Sequence, residues 1–287
     1  MALNKPSTMK HLKTLTLFFL TIFVISCSDS DDNSTPTDEL AGLQLVTTLQ
    51  NDSHDISLYT ADGTLQTGYN LIAMQIKDAD GNPISNASIT WNPVMHMMSM
   101  DHSCPKSAVA KKQNADFTYE GFIVFQMAGN DMESWELTVN YTINGTSYTA
   151  SSTIDVAASP KRRVESFQAT DGNRYVVAMI EPMAPKVGIN DMTAVVYQME
   201  SMMNFFAVDD YSVKIDPRMP GMGNHGSPNN VDLVSIADGF YQGKLSLTMT
   251  GYWKVNLQLV DAGSTVIYGN EVTEDSPGSN IYFEVEF

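Results

Sequence analysis

Cysteine is almost missing from this chain: 287 residues contain two, Cys27 and Cys104, too few for a framework of disulfides. Basic residues are scarce as well, 16 Lys and Arg against 33 Asp and Glu, for a formal charge of −17. A surface of that sign repels phosphate backbones and anionic head groups, so nucleic acid is not an expected partner. It concentrates cations without naming one. Enzyme signatures are absent too. There is no His-Glu-x-x-His, no Gly-x-Ser-x-Gly elbow, no dinucleotide fingerprint and no phosphate loop, and the Gly-rich "MPGMGNHGS" lacks the lysine a phosphate cradle would use. No stretch longer than a couple of turns holds a helical period, apart from an ambiguous "DMTAVVYQMESMMNFF" starting at Asp191.

Long apolar runs are confined to one, Leu15 to Ile25. It follows three lysines and ends at Ser26-Cys27 before an abrupt switch to Ser and Asp. The run is short for a membrane span and has no basic stop-transfer cluster behind it, which marks a targeting segment over 1–26. "VISC" resembles a bacterial lipobox, which implies that Cys27 becomes the lipid-modified first residue and the membrane anchor. The "SDSDD" behind it resembles the acidic tag of some surface lipoproteins. An outer-membrane lipoprotein, facing the periplasm or the cell surface, is expected, with residues 27–42 as an acidic flexible tether. Removing the leader's three lysines from the 16 basic residues leaves 13 against 33 acidic ones, a charge of −20. With Cys27 lipidated, Cys104 is a free thiol that needs a reason.

The remainder repeats itself. "SITWNPVMHMMSMDHSCP" from Ser88 aligns with "SVKIDPRMPGMGNHGSP" from Ser212. Pro93 falls on Pro217, Met95 on Met219, Met98 on Met222 and, after one gap, His102 on His225. "YEGFIVFQMAGNDMESWELTVNY" from Tyr119 pairs with "YQGKLSLTMTGYWKVNLQLV" from Tyr241, with four extra residues before Trp135. Short alternating segments, a hairpin signal at Asn144-Gly145 and another in "WKVNLQLVDAGSTVIYG" predict strands throughout. The expected architecture is all-β: two tandem immunoglobulin-like antiparallel β-sandwich domains, 43–157 and 174–287, with a polar linker over 158–173. Trp135 and Trp253 are expected in the two cores, and Met74, Met127, Met179, Met199 and Met249 at apolar strand positions. His54 is expected in solvent, and "DADGNP" at Asp78 as a turn and not a calcium loop, because Gly81 stands at position 4.

"MPGMGNHG" followed by "GFYQGKLSLTMTGYWKVNLQL" resembles the YtkA-like family of extracytoplasmic β-sandwiches, related in pattern to FixH and CopC-type domains found near copper handling and oxidase assembly. The resemblance covers Tyr175 to Phe287; the first half departs from the pattern by packing Met97, Met98 and Met100 around His96. It implies an extracytoplasmic domain whose Met/His loop binds metal. A module that holds or passes copper at the envelope is expected to hand it to a copper efflux or oxidase-assembly protein.

The chemistry of "WNPVMHMMSMDHSCPKS" points the same way independently. A thioether is a soft donor with no proton to lose, which suits Cu(I), while imidazole accepts Cu(I), Cu(II) or Zn(II). Met95, His96, Met97, Met98, Met100, His102 and Cys104 are therefore candidate copper ligands, with Met219, Met222 and His225 as a second set. Zinc suits thioethers poorly. In an extended loop, Met98, Met100 and His102 share one side while Met95 and Met97 face the other. The two sets could belong to one bridging arrangement between domains. The alternative is an interaction or structural lipoprotein whose methionines pack a sandwich end or form an adaptable contact surface.

Overall fold

The computed structural model describes residues 38–287. The leader and Cys27 lie outside the described residues. No α-helix occurs among the described residues, which contain one 3₁₀ turn and twenty strands.

The first half contributes β1 (Gln44–Gln50), β2 (His54–Thr60), β3 (Gly68–Asp78), β4 (Ser88–His96), β5 (Asp101–His102), β6 (Ala110–Lys111), β7 (Thr118–Phe125), β8 (Ser134–Ile143) and β9 (Thr146–Ile154). One antiparallel sheet runs β1-β2-β3-β7-β6 and the other β5-β4-β8-β9. That is the immunoglobulin arrangement, in which consecutive strands cross between sheets and a tryptophan, here Trp91 on β4, is buried between them. Alternation explains the core. In β4 the buried residues are Ile89, Trp91, Pro93 and Met95, and in β8 they are Trp135, Leu137, Val139 and Tyr141. The β8–β9 hairpin turns on Asn144 and Gly145, both at positive φ, as the sequence leads one to expect.

The second half contributes β10 (Val164–Gln168), β11 (Arg174–Glu181), β12 (Gly188–Met199), β13 (Phe205–Ala207), β14 (Ser212–Met219), β15 (His225–Gly226), β16 (Val231–Ala237), β17 (Phe240–Leu247), β18 (Tyr252–Val260), β19 (Val266–Tyr268) and β20 (Tyr282–Glu286). Its order follows the first, with β13 added beside β12 and both β19 and β20 along β18 where β8 has β9 alone, and with one change that joins the sheets. β16 is seven residues long where its counterpart β6 is two, and it pairs with both β17 and β14, joining what are two sheets in the first half into one.

The repeat holds residue by residue. Pro93 lies opposite Leu137 and Pro217 opposite Val255, so Met95 and Met219 fall at equivalent places beside Trp135 and Trp253. Both indoles are fully buried; Trp135 donates to the Met127 carbonyl at 2.9 Å and Trp253 to the Met249 carbonyl at 3.0 Å. The four extra residues before Trp135 form a turn in which the Asn130 N–H reaches the Glu133 carbonyl. Gly121 and Gly243 recur because a Cβ would strike the Trp91 ring at 2.7 Å in one half and the Val231 carbonyl at 2.4 Å in the other.

A further correspondence is not apparent from the sequence. Asn70 and Asn190 are buried, and each spends its amide on a corner: the carboxamide oxygen accepts from Gln66 or Lys186, while the NH₂ donates to the carbonyls of Gln66 and Gly68, or Lys186 and Gly188. Gly68 and Gly188 take φ of 109° and 114°, conformations open to glycine.

Several local expectations change. Val164–Gln168, inside the expected linker, is a strand paired with β11. Asp38 to Gly42, expected in the tether, is a turn whose Glu39 carboxylate accepts from the Asp116 N–H at 2.6 Å and the Thr118 hydroxyl at 2.6 Å. The ambiguous segment at Asp191 is mostly strand β12, because both faces of that strand are covered and its apolar residues lose their alternation. Met74 and Met179 are core residues, whereas Met127 is exposed in the loop after β7. His54 is half-buried, its Nδ1 3.0 Å from the Tyr141 hydroxyl and its ring edge-on to Tyr148. The Asp78 turn forms as expected, its carboxylate accepting the N–H groups of Asp80 and Asn82.

A third apolar cluster seals the halves together. Phe122 and Val124 of β7 pack with Val176 and Ala178 of β11 and Val195 and Tyr197 of β12. β7 sends Ile123 and Phe125 into the first core and Phe122 and Val124 into this seam, while β11 does the same with Tyr175, Val177 and Met179 against Val176 and Ala178. Burial on both faces is why "GFIVF" and "YVVAMI" read as continuous apolar runs.

Candidate functional site

The methionine-rich stretch is a hairpin built on β4 and β5. The Met97 N–H donates to the Met100 carbonyl at 3.1 Å, closing a turn, and the returning strand sets His102 opposite Met95 and Asp101 opposite His96. Directly opposed residues of an antiparallel pair share a face. This corrects the expected grouping, since the reversal at Met97 to Met100 replaces the i, i+2 alternation of an extended loop. Met95 and His102 share the inner face. His96 and Asp101 share the outer one, where His96 Nδ1 lies 3.0 Å from the Asp101 carboxylate. Met97 is half-buried, and Met98 and Met100, 81% and 50% exposed, form the tip.

The inner set is closely packed. Met95 and Cys104 belong to the first core, and His102 retains 7% of its surface, its ring edge-on to Trp135 with centroids 5.4 Å apart. Ser103, fully buried, ties the strand down through its hydroxyl to the Pro93 carbonyl at 2.7 Å. The imidazole has one hydrogen bond, from Nδ1 to the Ser103 carbonyl at 2.9 Å. A carbonyl only accepts, so Nδ1 carries the hydrogen. In the neutral ring this leaves Nε2 as a bare lone pair. Nε2 is buried and has no hydrogen-bond partner, one of two such side-chain atoms among the described residues; the other is Oε1 of Gln126, next to Met127.

A buried acceptor without a donor costs about 1–3 kcal/mol. An imidazole whose Nδ1–H is held by a backbone carbonyl and whose Nε2 is free is the form in which histidine binds a metal. Cys104 differs from it. Burial pushes its thiol well above the ordinary cysteine range, so it is a protonated, inert neighbour and unfit as the nucleophile of a Cys–His pair.

The second candidate set forms the equivalent hairpin, with Met219 opposite His225. Met219 is buried, its methyl group 3.1 Å from where a Cβ on Gly251 would stand. His225 and Met222 are exposed, Met222 on the 3₁₀ turn Pro220–Met222. Only Met219 of this set faces the core. The structure brings one Met–His pair together inside and leaves its twin half outside.

Beside the first hairpin the two halves meet through a backbone hydrogen bond. The Ser103 N–H, between His102 and Cys104, donates to the Met202 carbonyl at 2.8 Å. Met202 and Met203 sit on the turn between β12 and β13, where the sequence pattern merges them with the ambiguous helical segment and gives no sign of a site. No group of three or more His, Cys, Asp or Glu side chains capable of holding a metal occurs among the described residues, so any site here depends on thioether sulfur.

No protein-family model matches the chain, and no curated protein matches it. Among solved structures, similarity is found to a DUF4785 family protein from Legionella pneumophila (11% identity over 76% of this chain and 56% of that one, TM-score 0.26). It is also found to a chimeric titin Z1Z2 tandem (12% identity over 77% of this chain and 93% of that one, TM-score 0.18). The chain thus spans little more than half the length of the Legionella protein, and likenesses this distant lend neither fold nor function.

Proposed function

We propose that this chain is a lipid-anchored, non-catalytic protein of the cell envelope that binds a soft metal ion, Cu(I), through its first Met–His hairpin, and holds it or passes it on. The observation that carries the reading is His102 Nε2: a lone pair buried without a donor, on a ring fixed by its other nitrogen, directly across the ladder from a buried methionine. Imidazole with thioethers is a donor set suited to monovalent copper, and Met97, Met98 and Met100 at the turn offer further sulfur. A hairpin tip opens more readily than a core strand, so Met98 and Met100 are the natural entry point. The reading keeps the resemblance to YtkA-like domains, with a copper efflux or oxidase-assembly protein as the recipient.

The test is an anaerobic Cu(I) titration of the chain lacking its leader, with Cys27 replaced, in competition with a chromogenic chelator. His102→Leu is expected to weaken binding by at least about tenfold, the lower end of what even supporting residues of metal sites cost. Leucine removes the unpaired Nε2 but also the donor to the buried Ser103 carbonyl, opposing effects of about 1–3 kcal/mol each, so the same variant should change little in stability. Loss of stability with unchanged Cu(I) affinity would assign His102 to structure alone.

A second reading rests on the exposed tip: Met98 and Met100 present flexible apolar side chains such as adaptable contact surfaces use. A chain that binds no Cu(I) but loses partner binding when Met98 and Met100 become serine would support it.

A further inference from the structure

We propose that the metal site is completed from the second half of the chain, with Met202 and Met203 as additional thioether ligands above His102. The proposal rests on the copper reading of the first hairpin and adds residues that neither the repeat nor the methionine-rich stretch points to. Its starting point is the hydrogen bond from the Ser103 N–H to the Met202 carbonyl, 2.8 Å long, which places the backbone of Met202 against the residue between His102 and Cys104.

That turn is well held. The Glu200 N–H donates to the Asn204 carbonyl at 3.0 Å, and the Ser201 hydroxyl accepts from the N–H groups of Met203 and Asn204. Its two methionines nevertheless remain 40% and 38% exposed. A fixed backbone carrying two half-exposed, unbranched side chains is poor use of apolar surface for packing, and a suitable arrangement for donors that close on an ion.

The test uses the whole chain, because the first half alone lacks the turn. In anaerobic competition titrations with Cu(I), M202L/M203L should weaken affinity by about tenfold or more, as loss of metal-site residues does. M132L, an equally conservative change at an exposed methionine outside both Met–His hairpins, should not. X-ray absorption of the loaded protein should show fewer Cu–S neighbours in M202L/M203L than in the unaltered chain, a change that a merely structural role would not produce. Leucine preserves volume and hydrophobicity, so unfolding midpoints should stay together and confirm that the fold is intact. Cu(I) binding that is unchanged in affinity and sulfur count in M202L/M203L overturns this inference and leaves the first-hairpin site standing. Failure of the unaltered chain to bind Cu(I) overturns both.

Discussion

The two Met–His hairpins are the same piece of structure made twice, with opposite outcomes for the histidine. Both put the methionine beside a buried tryptophan and the histidine directly across the ladder from it. His102 nevertheless ends inside and His225 outside. Register is therefore not the cause of His102's burial. The difference lies in the residues downstream of each histidine and in the cover laid over them. After His102 the chain continues into Ser103 and Cys104, both buried, stitched to the Pro93 carbonyl below and to Met202 from the other half. After His225 it continues into Gly226 and Ser227, which are only half-buried. One repeat thus became a candidate site by acquiring a lid, while its twin kept the strand pairing alone.

Mutations that strike the elements common to both halves should cost most and cost equally. Trp135→Ala and Trp253→Ala remove fully buried, hydrogen-bonded indoles, and each is expected to lose about 3–5 kcal/mol in urea unfolding. A large effect in one half and a small one in the other would break the equivalence.

Alkaline pH probes the seam between the halves. Burial, with the neighbouring Tyr197, pushes Tyr69 up to about 12, and burial, with Asp238 and Asp209, does the same to Tyr197. Both values are raised above the ordinary 10.0, so the native state favours the neutral phenol. The associated stability is complete below about pH 10 and lost as pH rises from there through about 12. Phenolate absorbance and a stability probe followed together should show these two tyrosines ionising late and the structure weakening with them; ionisation near pH 10 without loss of structure would contradict the buried seam.

Smaller, again symmetric, is the corner pair. Asn70→Ala and Asn190→Ala each strand a backbone N–H and several carbonyls, at about 1–3 kcal/mol apiece. Chemical denaturation of both variants checks whether the motif is as equivalent energetically as it is in geometry. The histidines should then part company in Cu(I) binding: His225→Leu, at an exposed position, should stay within about 0.5 kcal/mol of the parent, whereas His102→Leu, which removes the unpaired Nε2 but strands the Ser103 carbonyl, should change stability little while losing Cu(I). Smallest of all, Cys104 should resist alkylation in the native chain and react once denatured, as its raised thiol value requires.

Much of the fold was legible because it is written in alternation and recurrence. "SITWNPVM" and "SWELTVNY" bury every second residue as their patterns require, and the aligned blocks from Ser88 and Ser212 occupy the same strands. The features that escaped are those that spacing cannot encode. Gly-x-Asn at Gly68 and Gly188 is too short to notice, though it fixes a corner. The turn at Met97 converts neighbours in sequence into opposites in space, so the pairing of Met95 with His102 needed the hairpin to be known. Met202 meets Ser103 across a long separation in the chain, visible to no local pattern. The seam did leave a trace: runs such as "GFIVF", apolar at consecutive positions, signal a strand with two dry faces.

That two-faced character of β7 and β11 settles a mechanical question. The residues that lock one half to the other alternate, along the same strands, with the residues that fill each core, so the halves cannot swivel as beads on a string without unpicking the pleat of both. A tip that opens locally can therefore move without the halves turning against each other, whereas a turn of one half against the other has to break the apolar contacts of the seam.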